Sequence, residues 1–311
     1  MNLPSFSIIT PCLNRAAYVA EAIDSVLQQG YPNLEHIVVD GGSTDGTLDI
    51  LGSYPHIRLV SEPDSGLYDA INKGLRMSQG EVIGFLNTDD LYMESVFIRV
   101  ADMFMRHPAC NAILGGVSIF VDGSGNGRRT VAAYPPFTQK EFLRQVTQGL
   151  PLFNGWFFRR NTFCEIGEFD IRYRYAADRE LLIRMAVSGL RFENVGQIVY
   201  SYRHHPGSLT FNSDNNAFSG MVQEFKAIAE RYLGNKDLTP QARRTFLTWH
   251  SLITSHQALL AIRLFKPGML ASLVAEGFQH NPLWPVIFSH QFIYQGVKFA
   301  LRGFKPIQQY G

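Results

Sequence analysis

The sequence predicts an α/β fold: an open, mostly parallel sheet flanked by helices, with a helical extension at its C-terminal end. In the first 90 or so residues, short apolar runs typical of buried strands alternate with segments of helical spacing. Polar residues collect where the apolar runs end, which is where open parallel sheets bind ligands. From Ser219 onward the pattern is helical. We therefore expect an α/β domain over residues 1–215 and a helical region over residues 216–311.

Each element follows from apolar spacing and from the turn residues that close it. The predicted strands cover Phe6–Thr10, Leu34–Val39, Ile57–Val60, Glu81–Leu86 and Ile113–Phe120. Helices are predicted over Ala16–Gln29, Thr47–Ser53 and Leu67–Ser78. In the C-terminal region the predicted helices are Met221–Leu233, Pro240–Phe265, Met269–Phe278 and Val286–Leu301. The loops that carry Asn14, Asp40, Asp64 and Asp89 should converge on one crevice.

Composition narrows the classes of protein. The net charge of +1 on 311 residues gives no overall nucleic-acid signature. The three cysteines are scattered, which favours reduced thiols in a cytosolic protein over a disulfide framework. Met1–Ser5 is too short to hold a signal peptide before the first strand, and the sequence contains no run of 18 apolar residues. We therefore expect a cytoplasmic enzyme without a membrane-spanning helix.

The most informative segment is Phe85–Tyr92, FLNTDDLY, in which an apolar strand leads directly into Asp89 and Asp90. Adjacent carboxylates at the end of a buried strand repel each other unless a positive group lies beside them. Mg²⁺ or Mn²⁺ bound to a phosphorylated ligand supplies such a charge. The alternative is a helix N-terminus, where acidic residues are also favoured.

The glycine-rich turn of this chain follows the second strand, not the first. The sequence has neither the Gly-x-Gly-x-x-Gly pattern after its first strand nor a Walker A pattern. Gly41 and Gly42 would let the backbone approach a ligand closely, and Asp40 could accept hydrogen bonds from a ribose or a base. The alternative for DGGSTDGT is a turn that caps the helix beginning at Thr47.

Four motifs together resemble glycosyltransferase family 2. They read SIITPCLNR, VVDGGSTDGT, SEPDSGLYDAINKG and GEVIGFLNTDD, and the similarity covers residues 5 to 210. The third motif is especially similar to bacterial enzymes that build surface polysaccharides such as capsule, O-antigen or colanic acid. The resemblance implies the GT-A (Rossmann-like) fold and an inverting transfer from a nucleotide-diphosphate sugar, with a UDP-sugar expected, to a glycan or lipid-linked acceptor.

The resemblance also implies roles for individual residues. Asp40 would contact uracil or ribose. The other residues of the donor pocket would be Pro11, Asn14, Arg15, Gly42, Asp64, Gly66, Asn72, Lys73 and Asn87. Asn87 stands at the first position of the family's Asp-x-Asp motif, so the metal ligand would be Asp89 or Asp90, and the choice between them is open. Arg203 and His205 would reach the diphosphate or the metal, although two adjacent histidines also fit ordinary packing.

The resemblance places the catalytic base at Asp178, the acid at the start of a helix. This position also fits an N-cap, which is compatible with catalysis. Glu180 is the fallback. Trp156 either stacks on a sugar face or belongs to an aromatic core.

The C-terminal region is aromatic and basic. Beyond Ala242 its only acid is Glu276, and its basic residues are Arg243, Arg244, Arg263, Lys266, Lys298, Arg302 and Lys305. Such a region favours attachment to an anionic membrane surface, here the inner face of the cell membrane. The alternative is a helical cap or a homodimer interface.

Two other functions remain alternatives at this point. A nucleotidylyltransferase also uses acids at a strand end, but it would need a glycine-rich basic loop after the first strand. A non-catalytic module that binds sugar nucleotides would not need Asp178 together with Asp89 and Asp90.

Overall fold

The computed structural model describes residues 3–123, 127–205, 207 and 215–291, with side chains from residue 219 in the last range. The chain divides into two compact units, residues 1–218 and residues 219–311. The first unit contains the α/β sheet and the second contains helices.

The strands of the first unit, as far as the structure describes it, are β1 Phe6–Cys12, β2 Leu34–Asp40, β3 Ile57–Ser61, β4 Val82–Phe85, β5 Leu91–Tyr92, β6 Ala112–Asp122, β7 Arg128–Tyr134, β8 Trp156–Arg159 and β9 Phe192–Arg203. Its α-helices are α1 Val19–Leu27, α2 Thr47–Gly52, α3 Leu67–Met77, α4 Val96–Arg106, α5 Phe142–Gln148, α6 Thr162–Ile166 and α7 Ala177–Val187. Two short 3₁₀ helices cover Gln139–Glu141 and Phe153–Gly155.

The strands form a mixed sheet in the order β3-β2-β1-β4-β8-β6-β9-β5, with β7 paired to β6. The pairs among β1 to β4 are parallel, as are β6 and β9. β8 runs antiparallel between β4 and β6, and β5 pairs antiparallel with β9. This arrangement confirms the predicted α/β class and the mostly parallel mixed sheet. It also places the carboxyl ends of β1, β2, β3 and β4 at one edge.

The end of β4 is fixed by an aromatic core. Phe97 packs on Phe6 with ring centroids 5.4 Å apart and on Tyr92 at 5.2 Å. The hydroxyl of Tyr92 donates to the carbonyl oxygen of Phe85 at 2.9 Å. Large buried aromatic rings contribute strongly to core stability. The residues that follow Phe85 therefore leave the sheet from a rigid base.

The second unit is helical. Its helices are α8 Asn215–Leu233, which begins just before the boundary between the units, α9 Pro240–Arg263 and α10 Pro267–His280, and residues 284–291 are also helical. Thr239 caps α9, because its hydroxyl oxygen accepts a hydrogen bond from the backbone of Ala242 at 3.2 Å. Much of the predicted helix Val286–Leu301 lies outside the described residues, as do Lys298, Arg302 and Lys305. No helix in the described part of the chain combines the length and apolarity needed to cross a membrane.

Candidate active site

The loops after β1 and β2 are joined by hydrogen bonds. The backbone N–H of Asn14 donates to Ser43 Oγ at 2.7 Å, and the Asn14 side-chain oxygen accepts from the backbone of Thr44 at 2.9 Å. The backbone of Arg15 donates to Thr47 Oγ1 at 2.8 Å. Asn14 has a φ of 53°, a left-handed conformation that asparagine tolerates better than most residues. Pro11 is a buried residue within β1, beside this loop.

Asp40 organises the loop after β2. It is fully buried, and it accepts hydrogen bonds from the backbone of Gly42 at 2.9 Å, from Ser61 Oγ at 2.8 Å, and from both the backbone and the hydroxyl of Ser43. Burial opposes ionisation of Asp40, but these hydrogen bonds outweigh it and lower the pKa of the carboxyl group below its usual value. Because its oxygens bind its own loop, Asp40 shapes the predicted nucleotide pocket. A direct contact with the nucleotide stays a prediction.

The loop after β3 lies against the glycine turn. A Cβ atom at Gly41 would lie 2.6 Å from Asp64 Oδ2, so a larger residue at this position would displace the Asp64 carboxylate. Asp64 Oδ1 accepts a hydrogen bond from the backbone of Gly66 at 2.8 Å. Gly66 has a φ of 120° and precedes α3. The loop after β2 therefore contacts both the loop after β1 and the loop after β3.

The two α3 residues assigned to the donor are engaged within the protein. The side-chain amide of Asn72 donates to the carbonyl oxygen of Phe169 at 2.9 Å and accepts from the Phe169 backbone N–H at 3.0 Å. Lys73 Nζ lies 2.9 Å from Glu62 Oε1 and donates to the Pro63 carbonyl at 2.9 Å. Buried Asn72 thus fixes α3 to the segment after α6, and its assignment to the donor is a prediction that this geometry does not favour.

Asp90 lies in the interior. Its Oδ2 accepts hydrogen bonds from the Tyr200 hydroxyl at 2.8 Å and from the Asn87 side chain at 3.1 Å. Its Oδ1 accepts from the backbone of Arg203 at 2.8 Å. Burial and the neighbouring charge of Asp89 raise the pKa of Asp90 to about 7. Asn87 therefore has a clear reason for replacing an acid: it donates a hydrogen bond to a buried carboxyl group, which a second carboxylate would repel.

Tyr200 uses its whole hydrogen-bonding capacity in this loop. Its hydroxyl donates to Asp90 and accepts from the backbone of Asn87 at 3.1 Å and from the Asn154 side chain at 2.9 Å. Tyr200 is fully buried in β9. The loop between β4 and β5 is therefore held by β9 and by the segment before β8.

Asp89 points in a different direction from Asp90. Its Oδ2 lies 2.9 Å from His205 Nε2, and its side chain is 17% exposed. Two adjacent ligands of an octahedral cation, each about 2.1 Å from it, are themselves about 3 Å apart. Asp89 Oδ2 and His205 Nε2 thus have the chemistry and the spacing of two ligands of one divalent cation. Of the two acids left open by the sequence, the geometry favours Asp89.

Arg203 stabilises the loop between β4 and β5, which carries Asp89. Its Nε donates to the Asp89 carbonyl oxygen at 2.9 Å, and its terminal nitrogens form ion pairs with Asp122 and Glu21. Its guanidinium group lies over the rings of Tyr18 and Phe120, at 5.1 Å and 4.8 Å. Glu21 and Asp122 also pair with Arg128, so two acids and two arginines balance in charge. The structure therefore gives Arg203 a positioning role, and its contact with a diphosphate stays a prediction.

Asp178 is the second residue of α7 and is half-buried. Its Oδ1 accepts from the backbone of Arg179 at 2.7 Å, and Tyr68 donates a side-chain hydrogen bond to it. Burial raises the pKa of Asp178, and these hydrogen bonds only partly offset the effect. Burial is the largest cause of the raised pKa of Tyr202, and the negative charges of Asp90 and Asp178 add to it. Both acids therefore act on this tyrosine. An acid with a raised pKa is better matched to proton abstraction.

Burial bears on two further predictions. The geometry disfavours Glu180 as the fallback base, because its side chain is 0% exposed and pairs with Arg184 at 2.8 Å. Trp156 is also fully buried and packs on Phe142 and Phe192, with ring centroids 5.2 Å and 4.7 Å apart. A ring without accessible faces cannot stack on a sugar, so the aromatic-core alternative is correct.

Sequence reasoning missed several residues that position the site. They are Tyr18, Glu21, Tyr68, Asp122, Asn154 and Tyr200. No local pattern marks them, because each meets its partner through the tertiary fold. Tyr68 is the exception: it follows Gly66 in a motif already singled out, and the start of α3 faces the predicted ligand edge.

The family model described as "Glycosyl transferase family 2" matches residues 7–167. The chain belongs to glycosyltransferase family 2. Within the matched range lie the loops after β1 to β4, and Asp178 and His205 follow it. The resemblance predicted from the four motifs is therefore confirmed, as are the hexosyltransferase class and the fold.

Known proteins extend this similarity. The PGL/p-HBAD biosynthesis glycosyltransferase of Mycobacterium tuberculosis is 35% identical over 190 residues, which cover 59% of this chain and 70% of the relative. The solved structure of S. aureus TarS 1–349 with UDP-GlcNAc superposes with a TM-score of 0.65 at 18% identity, over 91% of this chain and 86% of that one. The solved structure of the mannosyltransferase PcManGT of Pyrobaculum calidifontis with GDP-Man and Mn²⁺ superposes with a TM-score of 0.60 at 19% identity, over 100% of this chain and 85% of that one. At these identities the structural likeness concerns the fold alone.

Proposed function

We propose that this protein is an inverting glycosyltransferase that moves a sugar from a nucleotide-diphosphate donor, a UDP-sugar, to a hydroxyl group of a glycan or lipid-linked acceptor. The product belongs to a bacterial surface polysaccharide. The observation that carries the proposal is the pairing of Asp89 with His205 at 2.9 Å in the same domain as a half-buried Asp178 with a raised pKa. Two relatives of this fold are solved with UDP-GlcNAc and with GDP-Man, which supports a nucleotide-sugar donor.

The nucleotide would lie against the loops after β1, β2 and β3. Asn14 and Arg15 border this space, and the rigid turn held by Asp40 shapes it. Asp64 contributes a carboxylate beside Gly41, where the backbone comes close to the ligand edge. These loops are joined by hydrogen bonds, so the pocket is organised before a donor binds. Preorganisation lowers the entropy cost of binding.

A divalent cation, Mn²⁺ or Mg²⁺, would be held by Asp89 and His205, with the imidazole nitrogen favouring Mn²⁺ over Mg²⁺, and it would neutralise charge on the diphosphate of the leaving nucleotide. The fit rests on the carboxylate and imidazole ligands and on their separation. The solved mannosyltransferase with Mn²⁺ supports a divalent ion in this fold. Asp90 would act on Asp89 indirectly, by tying the loop to Tyr200 and Arg203.

Asp178 would remove the proton from the acceptor hydroxyl group. At the same time the hydroxyl oxygen would attack the anomeric carbon of the donor sugar from the face opposite the nucleotide. The raised pKa makes its carboxylate a stronger base than an ordinary aspartate. The hydrogen bond from Tyr68 fixes the orientation of Asp178. A single displacement of this kind inverts the anomeric configuration.

The acceptor side of the proposal includes the inner face of the cell membrane. The turn between α9 and α10 exposes Phe265, which is 92% accessible, and Leu264, which is 51% accessible. Exposed Arg263 and Lys266 flank them. Apolar side chains between basic ones suit the interface of an anionic bilayer. A lipid-linked acceptor would be presented at that surface.

The proposed function is tested by incubating the full-length protein with a panel of UDP-, GDP- and dTDP-sugars and Mn²⁺. We expect one UDP-sugar to raise the melting temperature and to be hydrolysed slowly, with the released sugar first appearing in the inverted anomeric form by NMR. A product of retained configuration would contradict the inverting mechanism. Release of pyrophosphate from a nucleoside triphosphate and a sugar phosphate would instead identify a nucleotidylyltransferase.

A further inference from the structure

A second cluster of metal-ligating side chains lies in the C-terminal unit. Glu230, His250 and Glu276 come from three different helices, α8, α9 and α10. Each offers one ligand atom, and these atoms all lie within 4.8 Å of one another. His250 Nε2 is 3.2 Å from Glu276 Oε1 and 3.6 Å from Glu230 Oε1. The family model ends before all three residues.

His250 is a buried polar residue whose ring nitrogens lack hydrogen bonds to the described residues. Its side chain is 1% exposed, and within the described part of the chain neither ring nitrogen makes a hydrogen bond. A buried polar group without a hydrogen bond costs free energy. Burial, followed by the neighbouring His280, lowers the pKa of His250. An imidazole nitrogen that makes no hydrogen bond to the described residues and lies within 3.6 Å of two carboxylates is placed to share a metal ion with them.

The surroundings orient the carboxylates without saturating them. Lys226 Nζ binds the other carboxylate oxygen of Glu276, Oε2, at 2.6 Å, which leaves Oε1 directed towards His250. Such outer contacts commonly fix the ligands of metal sites. The two glutamates and Lys226 carry one net negative charge, so a divalent cation is electrostatically favoured. The Glu230 side chain is 44% exposed and gives the site access to solvent.

We propose that Glu230, His250 and Glu276 form a binding site for a divalent transition metal ion of the zinc class, which joins α8, α9 and α10. One nitrogen and two carboxylate ligands suit Zn²⁺ better than Mg²⁺, which prefers oxygen ligands alone. Three protein ligands leave a fourth position for water on the exposed side of Glu230. The site is separate from Asp89 and His205, and the ion stabilises the helical unit.

The test uses the full-length protein, stripped with EDTA and dialysed, and Zn²⁺ as the probe. Zinc binding is titrated against a chromophoric chelator in the wild type, in Glu230→Gln and in Asp237→Asn. Asp237 is an exposed acid in the turn between α8 and α9, so its variant removes the same charge outside the cluster. The three titrations are repeated in proteins that also carry Asp89→Asn. This second background distinguishes zinc bound at Glu230, His250 and Glu276 from zinc bound at Asp89 and His205.

We expect Glu230→Gln to lose one zinc equivalent, or to bind it at least 10-fold more weakly, in both backgrounds. Asp237→Asn should bind zinc like the wild type. Zinc should also raise the melting temperature of the wild type more than that of Glu230→Gln, which changes an exposed side chain and should fold normally. His250→Gln should show the same zinc loss. Equal stoichiometry, affinity and thermal response in the wild type and Glu230→Gln would overturn the proposal and leave an ion-pair network.

Discussion

The carboxylate of Asp89 and the imidazole of His205 lie 2.9 Å apart, although 116 positions separate them in the chain. Asp89 follows β4 and His205 follows β9, and these strands are not neighbours in the sheet. The contact is made because β5, just after Asp90, pairs with the end of β9. Tyr200, Arg203 and Asp90 lock that pairing. The candidate metal ligands are therefore positioned by the sheet itself.

We predict that Asp178→Asn loses turnover but keeps donor binding. Asparagine has nearly the same shape as aspartate but cannot accept the proton, and loss of a general base typically lowers kcat by about 10²–10⁴-fold. Transfer kinetics and UDP-sugar titration measure the two effects separately. Glu165→Gln, which changes an exposed acid in the same unit, is the control and should be nearly neutral. Near-normal transfer by Asp178→Asn would assign the base elsewhere.

The pH dependence should respond to Tyr68. Because the pKa of Asp178 is raised, the acidic limb of the kcat/KM profile should lie above the ordinary aspartate value of 3.8. The Tyr68 hydrogen bond favours the ionised form, so Tyr68→Phe removes a lowering effect and should move that limb to higher pH. At alkaline pH, where Asp178 is ionised in both proteins, the rate difference that remains measures the loss of orientation by Tyr68. If the acidic limb of the kcat/KM profile is unchanged in Tyr68→Phe, Tyr68 does not interact with the group that titrates.

Glu180→Gln should affect stability rather than chemistry. Glu180 is fully buried and pairs with Arg184, and removing one partner of a buried pair leaves an unbalanced charge at a cost of about 3–5 kcal/mol. We expect a lower free energy of unfolding in urea, with the kcat per folded molecule unchanged. Glu168→Gln, in a more exposed pair with Arg76, is the matched control and should cost about 1 kcal/mol or less. A normal stability with a large loss of kcat would return Glu180 to the candidate bases.

The proposed membrane contact predicts a salt-sensitive affinity for anionic vesicles. Each basic residue at such a surface contributes about 1 kcal/mol, so changing Arg263 and Lys266 to serine should weaken binding by roughly 30-fold at low salt. Phe265→Ser should weaken it further by removing apolar insertion. Lys236→Ser, in the exposed turn before α9, serves as the control. If the wild-type protein does not bind anionic vesicles at low salt, the C-terminal helical region is a cap or a dimer interface instead.

The strands and the acids at their ends could be predicted because both are local patterns. Asp40, Asp64 and Asp89 each follow an apolar run of strand length, and that placement depends only on nearby residues. The partners of these acids could not be predicted in the same way. Glu21 meets Arg203 from α1, and Tyr200 reaches Asp90 through the pairing of β5 and β9, which no short segment encodes.

The choice between Asp89 and Asp90 shows the same limit. The two residues are chemically identical and adjacent, yet one faces the interior and the other is partly exposed. Their difference depends on Arg203 and Tyr200, more than 100 positions away. The two interpretations of Trp156 stayed open for a related reason: its sequence context is as compatible with a core as with a sugar platform. Burial by Phe142 and Phe192 decides it.

The most direct test of the account is whether metal and nucleotide bind together through Asp89. UDP is titrated calorimetrically into the wild type and into Asp89→Asn, each with Mn²⁺ and with EDTA. We predict that Mn²⁺ raises the UDP affinity of the wild type at least 10-fold and has little effect on Asp89→Asn, since loss of even an outer contact of a metal site typically costs this much. Equal UDP affinity of the wild type with Mn²⁺ and with EDTA would contradict the cation site at Asp89 and His205.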